Sequence, residues 1–270
     1  MKVSILIPTY NRIHALIATL TALSAQTFRD FEIIISDQSE QFVAEDDIIQ
    51  TLQRLFEIQG SIVHILQNFP NQGIAQQRQF LLDQSKGEYC LFLDDDILLE
   101  PDVLSRMLKA LEEEKTGFAG MAPIGLSYIN DVRPQQHNIE LWESQVQPEV
   151  IRPGTEEWNR YALHNAANIL HVSQILKISA LEQKKYKIAW VGGCILYDAA
   201  KLKETGGFTF WEELPENHSG EDVLAQIRLM EKYGGFGLIP SGAYHLELPT
   251  TIPNREVNAP ELYYGEKVEG

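Results

Sequence analysis

The stretch GEYCLFLDDDILLEPD, Gly87–Asp102, determines how the rest of the chain is interpreted. Its apolar run Tyr89–Leu93 is short and uninterrupted, as in a strand buried on both faces of a sheet. Three carboxylates, Asp94, Asp95 and Asp96, follow at once. Neighbouring carboxylates raise one another's pKa, so such a cluster is costly unless a cation lies among them. Hard oxygen ligands favour Mg²⁺ or Mn²⁺, whereas the alternative is a solvated acidic turn before a helix.

Toward the N-terminus, apolar strands alternate with amphipathic helices. Three further runs have the composition of buried strands, namely Val3–Pro8, Phe31–Ser36 and Ser61–Leu66. The segments from Ile13 to Leu23 and from Ile48 to Phe56 carry apolar residues at helical spacing, and another helix is predicted over Gly73–Gln84. The order βαβαβαβ predicts an α/β fold with a mostly parallel central sheet, right-handed crossovers and helices on both faces.

Ligands bind beyond the carboxyl ends of the strands in sheets of this kind. Polar residues lie at all four predicted ends: Thr9–Arg12, Asp37, Asn71–Arg78 and Asp94–Asp96. We therefore expect one cleft to gather them.

The second half of the chain is less regular. We predict a helix over Thr155–Leu170, a lysine-rich turn at Lys184–Lys187, a buried strand at Ala189–Tyr197 and a helix at Glu221–Tyr233. From Leu248 on, the sequence shows no periodicity, which predicts a mobile tail.

Composition narrows the class of protein. The 270 residues carry a formal net charge of −16 without a basic stripe, which argues against a nucleic-acid partner. If the protein binds an anionic diphosphate, a divalent cation is the expected means of offsetting the repulsion.

No apolar run reaches a bilayer span and no signal peptide is evident, so we predict a cytoplasmic protein without a transmembrane segment, compatible with peripheral docking on a membrane. Cys90 and Cys194 stand alone in strand-like runs, which fits reduced thiols.

Six segments, in order, resemble the motifs of the family 2 glycosyltransferases, which have the GT-A (Rossmann-like) fold. They are VSILIPTYNR (Val3–Arg12), EIIISDQS (Glu32–Ser39), NQGIAQQR (Asn71–Arg78), GEYCLFLDDDILLEPD (Gly87–Asp102), GGCILYDAAKLKETGGF (Gly192–Phe208) and GED (Gly220–Asp222). The resemblance implies a single domain over residues 1–270, with a nucleotide-sugar-binding half at 1–122 and an acceptor-binding half at 123–270.

The resemblance also implies roles for individual residues. The nucleotide-sugar is held by Pro8, Thr9, Tyr10, Arg12, Asp37, Arg78, Asp94 and Asp95, and the metal, Mn²⁺ or Mg²⁺, by Asp96 and His245. A carboxylate at Asp37 can accept from a uracil or thymine ring N–H, which favours a UDP- or dTDP-sugar over a GDP-sugar. The alternative for Asp37 is a turn-forming aspartate. For Arg78, contact with the base or phosphate competes with a surface ion pair to Glu57 or Asp83.

Asp222 resembles the family's catalytic base, and Glu221, beside it at the start of a helix, is expected to complete the catalytic pair by contacting the acceptor or the neighbouring backbone. A carboxylate within hydrogen-bond reach strengthens an acceptor hydroxyl as a nucleophile. Acidic residues in a first helical turn are also common without any catalytic role, because the helix dipole stabilises them. Phe210 and Trp211, in the loop that precedes this helix, either stack on a sugar or pack over the core.

The resemblance thus implies an inverting, metal-assisted glycosyltransferase of surface-polysaccharide or glycan synthesis. Its expected partners are a nucleotide-sugar donor and a glycan, lipid-linked or other hydroxyl acceptor. Two alternatives stay open. One is a catalytically silent nucleotide-sugar-binding subunit, and the other is a sugar nucleotidylyltransferase, although that class has a Gly-rich first loop that Ile7–Arg12 (IPTYNR) does not offer.

Overall fold

The repeated strand–helix pattern of the first half folds as expected in a computed structural model, which describes residues 1–251 and 253–265. This half comprises β1 (Val3–Thr9), α1 (Ile13–Ser24), β2 (Phe31–Asp37), α2 (Asp47–Ile58), β3 (Ile62–Gln67), α3 (Ile74–Gln84), β4 (Tyr89–Leu93), β5 (Ile97–Leu99), α4 (Val103–Glu114), β6 (Phe118–Gly120) and β7 (Ile124–Gly125).

The second half contributes shorter elements. They are α5 (Asn168–Leu176), β8 (Lys184–Tyr186), β9 (Cys194–Asp198), α6 (Ala199–Glu204), β10 (His218–Ser219), α7 (Glu221–Tyr233), β11 (Gly235–Ile239), β12 (Ala243–His245), β13 (Val257–Asn258) and α8 (Ala259–Tyr264). Two 3₁₀ segments, Glu157–His164 and Thr209–Glu213, lie in the connections.

One large sheet contains eight of these strands in the order β3–β2–β1–β4–β9–β6–β11–β8. The first four strands are mutually parallel, β9 runs antiparallel between β4 and β6, and β11 is parallel to β6. The prediction of a mostly parallel α/β sheet is confirmed. Because β9 comes from the second half of the chain, both halves share this sheet.

The core lies on both faces of the sheet because successive side chains of a strand point to opposite sides. In β1, Leu6 joins one apolar cluster while Ile5 and Ile7 join the other, and in β4 Phe92 and Leu91 divide in the same way. Both thiols, Cys90 on β4 and Cys194 on β9, are buried and unpaired. Within the described residues, no helix combines the length and hydropathy of a bilayer-spanning segment.

Strand register determines which polar side chains meet at the carboxyl edge. Leu6 of β1 pairs with Phe92 of β4, and β1 ends at Thr9 and β4 at Leu93, so Thr9 and the aspartates that follow Leu93 lie at the same edge of the sheet. A second, three-stranded sheet has the order β5–β12–β7 and pairs His245 with Ile97. This pairing brings the imidazole of His245 beside Asp96.

Three expectations for the second half are wrong. The helix predicted over Thr155–Leu170 is interrupted, because Ala166 adopts a left-handed conformation (φ +54°) between the 3₁₀ segment and α5. Lys184–Lys187 is not a turn: its first three residues form β8, which pairs with β11 where Gly237 leaves room for the ring of Tyr186. The strand expected at Ala189–Tyr197 begins only at Cys194.

The segment after Leu248, predicted to be a mobile tail, is folded over its described part. Its strand β13 pairs with β10, and α8 packs against α7 with Ala259 fully buried. The side chain of Asn258 accepts from the backbone N–H of Glu261 and so caps the start of α8. The described part of this segment therefore packs against the rest of the protein.

Candidate active site

A cleft of about 380 Å³ opens at the carboxyl edge of the large sheet. Eleven of the residues predicted from the sequence line it: Pro8, Thr9, Tyr10, Arg12, Arg78, Asp94, Asp95, Asp96, Glu221, Asp222 and His245. They converge because β1 and β4 end side by side, while α3, α7 and β12 carry the remaining side chains to the same edge. The expected cleft is therefore present.

Asp95 is directed toward the loop that follows β1. Its carboxylate accepts from Thr9 Oγ1 at 2.7 Å and from Arg12 Nη1 at 3.0 Å. Burial raises the pKa of Asp95 to about 6, although the hydrogen bond from Thr9 and the charge of Arg12 act in the opposite direction. These contacts lock the first loop against the acidic cluster.

Asp96 lies between two basic side chains. Its Oδ2 atom is 3.1 Å from Arg12 Nη1 and 3.4 Å from His245 Nε2. Burial raises the pKa of Asp96 and the nearby Asp94 raises it further, while His245 and Arg12 lower it. This buried carboxylate thus lies in an environment that favours a neighbouring cation.

His245 is oriented by a main-chain contact. Its Nδ1 accepts from the N–H of Glu247 at 3.0 Å. A neutral imidazole carries one proton, so that proton lies on Nε2 and points at Asp96. Coordination of a metal through Nε2 requires this nitrogen to be unprotonated, and the Glu247 contact must then be released.

The carboxylate of Asp96 and the imidazole of His245 are metal-binding groups that fit Mg²⁺ or Mn²⁺, provided that a bound ligand completes the coordination shell. No cluster of three or more His, Cys, Asp or Glu side chains arranged for metal binding occurs within residues 1–251 and 253–265. Asp96 and His245 together offer two protein ligands. Mg²⁺ and similar ions commonly take one or two carboxylates and complete their shell with water and substrate phosphates. A site of this kind suits a diphosphate-bound ion.

Arg78 is buried between two acidic residues from different parts of the chain. Its Nε donates to Glu221 Oε1 at 2.9 Å and its Nη2 to Asp94 Oδ1 at 3.1 Å. The surface ion pair with Glu57 or Asp83, considered from the sequence, is not formed. Glu57 pairs with Arg54, and Asp83 accepts from Gln79.

Asp222 lies in the first turn of α7, two residues after Gly220, which has a left-handed conformation (φ +77°). Burial raises the pKa of Asp222 to about 7, and the adjacent Glu221 adds to this, while Arg78 opposes it. Oδ1 accepts from the N–H of Val223 at 2.8 Å. Oδ2 has no hydrogen-bond donor in the described part of the chain, and it faces the backbone of Gly192, where an added methyl group would lie 3.9 Å away. One oxygen of Asp222 is therefore available to a ligand.

Asp37 is the one predicted site residue that does not line the cleft. It is 1% exposed, and its two oxygens accept from the N–H groups of Ser39 and Val43, each at 2.8 Å. These are the contacts of the turn-forming alternative. Phe210 and Trp211 also lie outside the cleft, because Phe210 is buried in the core and Trp211 packs against it.

Several lining residues were missed from the sequence. The tail contributes Leu248, Thr250, Thr251 and Arg255, and the Nη2 of Arg12 donates to the carbonyl oxygen of Pro249 at 2.7 Å. His218 also lines the cleft. Its Nε2 accepts from the N–H of Ala75 in the first turn of α3, so its Nδ1 donates to the carbonyl oxygen of Pro215. Aperiodic segments and a single histidine gave no signal for these positions.

A mostly parallel sheet that gathers carboxylates and arginines at its carboxyl edge has the architecture of the GT-A glycosyltransferases. Two solved structures support this fold at low sequence identity. Staphylococcus aureus TarS matches 91% of this chain and 36% of its own with a TM-score of 0.57 and 19% identity. The mannosyltransferase PcManGT from Pyrobaculum calidifontis, in complex with GDP-Man and Mn²⁺, matches 87% of this chain and 54% of its own with a TM-score of 0.55 and 15% identity.

Residues 4–181 match the family described as Glycosyl transferase family 2, and the chain belongs to that family. An uncharacterized glycosyltransferase of Haemophilus influenzae is 34% identical over 147 residues, which are 51% of this chain and 46% of the relative. The GalNAc(5)-diNAcBac-PP-undecaprenol beta-1,3-glucosyltransferase of Campylobacter jejuni is 33% identical over 112 residues, 42% of this chain and 35% of the relative. The chain thus spans less than half the length of these curated relatives.

Proposed function

We propose that this protein transfers a sugar from a nucleotide diphosphate donor to an acceptor hydroxyl, with inversion at the anomeric carbon. One observation carries the proposal. A single cleft contains both the acidic cluster that ends β4 and Asp222, a carboxylate with a pKa of about 7 and one unoccupied oxygen. A general base is most effective when its pKa lies close to the working pH.

The donor diphosphate lies, in this proposal, beside Asp96. Asp96, and His245 once its Nε2 is unprotonated, would hold a divalent ion there, and that ion would supply positive charge to the departing diphosphate. Mn²⁺ is supported by the ion in the PcManGT complex. A UDP-sugar is supported by the UDP-GlcNAc complex of TarS and by a UDP-Glc-dependent relative from Escherichia coli, WfaP.

The chain's own residues account for the proton transfer. Asp222 Oδ2 accepts the proton of the acceptor hydroxyl while the hydroxyl oxygen attacks the anomeric carbon, and the bond from that carbon to the diphosphate breaks, so the nucleoside diphosphate leaves. Glu221 does not take part directly, because its carboxylate is bound to Arg78. Arg78 also binds Asp94, which lines the same cleft. Arg78 therefore positions the donor side and the base side of the site relative to each other.

The acceptor is assigned to the second half of the chain, residues 123–270, and the donor to residues 1–122. Two relatives, from Campylobacter jejuni and Escherichia coli, are named for acceptors linked to diphosphoundecaprenol. This supports a role in surface polysaccharide or glycan synthesis at a lipid-linked acceptor.

A thermal-shift panel of UDP, dTDP and GDP with and without Mn²⁺ tests the donor site. A nucleotide present at 100 times its dissociation constant stabilises the folded state by about 2.7 kcal/mol. We expect such stabilisation for UDP only with Mn²⁺, and its loss in Asp96→Asn. Stabilisation that is independent of both metal and Asp96 would contradict the proposed site.

Release of UDP from UDP-sugars in the presence of glycan acceptors then tests transfer. Nucleotide binding without turnover would identify a silent binding subunit. Release of pyrophosphate from a nucleoside triphosphate and a sugar phosphate would identify a nucleotidylyltransferase. Either result would replace the proposed reaction.

A further inference from the structure

A second cavity, of about 570 Å³, adjoins the donor cleft. The two share five lining residues: Asp94, Gly192, Gly193, His245 and Leu248. Its size falls in the range of small-molecule sites, which is about 300–1,000 Å³. The second cavity is therefore an extension of the cleft toward the half of the chain that follows residue 122.

Aromatic rings form one wall of this second cavity. Tyr161 stacks on Trp190 with ring centroids 5.1 Å apart and an interplanar angle of 15°. Tyr161 is 39% exposed and Tyr128, also in the wall, is 42% exposed. Exposed aromatic rings in a concave surface are typical of ligand sites, because a ligand removes their apolar faces from water.

Backbone strain provides a second, independent observation. Ala166 and Glu247, both in the wall, are non-glycine residues in the left-handed region, with φ +54° and +59°. Each is held by a specific contact: the carbonyl of Ala166 accepts from Gly125 N–H at 2.9 Å, and Glu247 Oε1 accepts from Ser127 Oγ at 2.9 Å. Strain of this kind concentrates at ligand sites, where the surrounding structure maintains it.

Two glycines connect the cavities. A methyl group at Gly192 would lie 3.9 Å from Asp222 Oδ2, and one at Gly193 would lie 3.4 Å from Asp94 Oδ2. Gly193 is also left-handed, with φ +72°. With no side chain at either position, a group bound in the second cavity can extend over this backbone to reach Asp222.

We infer that the second cavity binds a pyranose ring of the acceptor, so that the acceptor hydroxyl belongs to a saccharide. This rests on the proposed function. A pyranose has an apolar face of C–H groups that matches the exposed ring of Tyr161, which Trp190 supports by stacking, and hydroxyl groups that match Asn165 and Glu247 in the same wall. A hydrocarbon chain would take those two polar side chains out of water without offering them a hydrogen bond, at a cost in binding free energy.

Saturation-transfer NMR with methyl α-D-glucopyranoside tests the inference directly, since it reports binding without catalysis. Sorbitol serves as the control ligand because it carries hydroxyl groups but no ring. With UDP and diamagnetic Mg²⁺ present, we expect transfer to the ring protons of the pyranoside and none to sorbitol. Equal transfer to both ligands would overturn the inference.

Four variants locate the binding surface. Tyr161→Ala and Trp190→Leu each remove one ring and should weaken pyranoside binding about three- to tenfold, the usual effect of one aromatic contact. Tyr161→Phe keeps the ring and should bind as the wild type does. Trp211→Leu is the matched control, because Trp211 is a partly buried aromatic residue that lines neither cavity.

The outcomes separate this inference from the proposed function. If UDP and Mn²⁺ stabilise Tyr161→Ala as they do the wild type, and pyranoside binding is also unchanged, the aromatic wall is not the acceptor site while the donor assignment stands. Because Tyr161 is exposed at the rim, this variant decides the question even if Trp190→Leu fails to fold. Loss of pyranoside binding in Trp211→Leu would likewise overturn the inference.

Discussion

Replacing Arg78 by methionine is expected to destabilise the protein by about 3–5 kcal/mol at pH 8, the usual cost of removing one partner from a buried ion pair. Arg78 is 4% exposed and is bound to Glu221 and Asp94. Methionine approximates the length of the aliphatic stem but offers no donor. The variant therefore leaves two carboxylates in the cleft without their cation, beside Asp222.

The loss of stability in Arg78→Met should depend on pH, and the direction of this dependence follows from the carboxylates that Arg78 leaves unpaired. Arg78 lowers the pKa of Asp222. Without Arg78, that pKa rises above about 7 in the folded protein, while the unfolded chain keeps its ordinary value near 4. A group that binds protons more tightly in the folded state makes stability fall as pH increases. The difference between variant and wild type should therefore be larger at pH 8 than at pH 5.

Urea unfolding at pH 5, 6.5 and 8 measures this difference. Arg54→Met is the matched control, since Arg54 and Glu57 form an ion pair whose side chains are 72% and 58% exposed. Exposed pairs contribute about 0–1 kcal/mol. The double variant Arg78→Met/Glu221→Gln should recover part of the loss because it removes one of the unpaired charges.

A destabilisation below about 1 kcal/mol at pH 8, equal to that of an exposed pair, would refute the reasoning. So would a loss that does not change between pH 5 and pH 8. In either case the guanidinium of Arg78 would not be the charge that holds the carboxylates of this cleft together.

The other predictions concern turnover. Asp222→Asn should bind UDP and Mn²⁺ as the wild type does but lower kcat about 10²–10⁴-fold, as expected for loss of a general base; an unchanged kcat would exclude Asp222 from that role. In the wild type, kcat/KM should fall about tenfold per pH unit below about pH 7, because Asp222 must be unprotonated to accept a proton, and a flat profile from pH 5 to 8 would contradict this assignment. Gly192→Ala places a methyl group 3.9 Å from Asp222 Oδ2 without backbone strain, so it should keep the thermal stability of the wild type and raise the KM for the acceptor; an unchanged KM would show that the acceptor does not pass this backbone.

The first half of the fold was predictable because its signals are local. Val3–Pro8 and Tyr89–Leu93 are continuous apolar runs, and only a strand buried on both faces uses such a run. Once those strands are parallel, their carboxyl ends must meet, and the grouping of Thr9 with the aspartates follows from geometry. The parallel pairing of β1 and β4 puts the ends of both strands at this edge, where Thr9 donates to Asp95.

The second half was less predictable because its structure depends on distant residues. The strand β8 carries two lysines and forms through pairing with β11, where Tyr186 fits against Gly237. Neither feature is visible from Lys184–Tyr186 alone. Arg78 is a similar case, since its partner Glu221 lies 143 positions away. Glu57 and Asp83, which are closer to Arg78 in sequence, are therefore not its partners.

The tail shows why some parts of a site leave no trace in the sequence. Arg12 binds Asp95 and Asp96 with Nη1 and the carbonyl oxygen of Pro249 with Nη2. That oxygen belongs to the main chain, so any residue at position 249 could accept the same hydrogen bond. One guanidinium thus joins the acidic cluster to a segment whose side chains reveal nothing of the contact. A ligand that binds Asp96 in place of Arg12 would therefore also change the contact between Arg12 and Pro249.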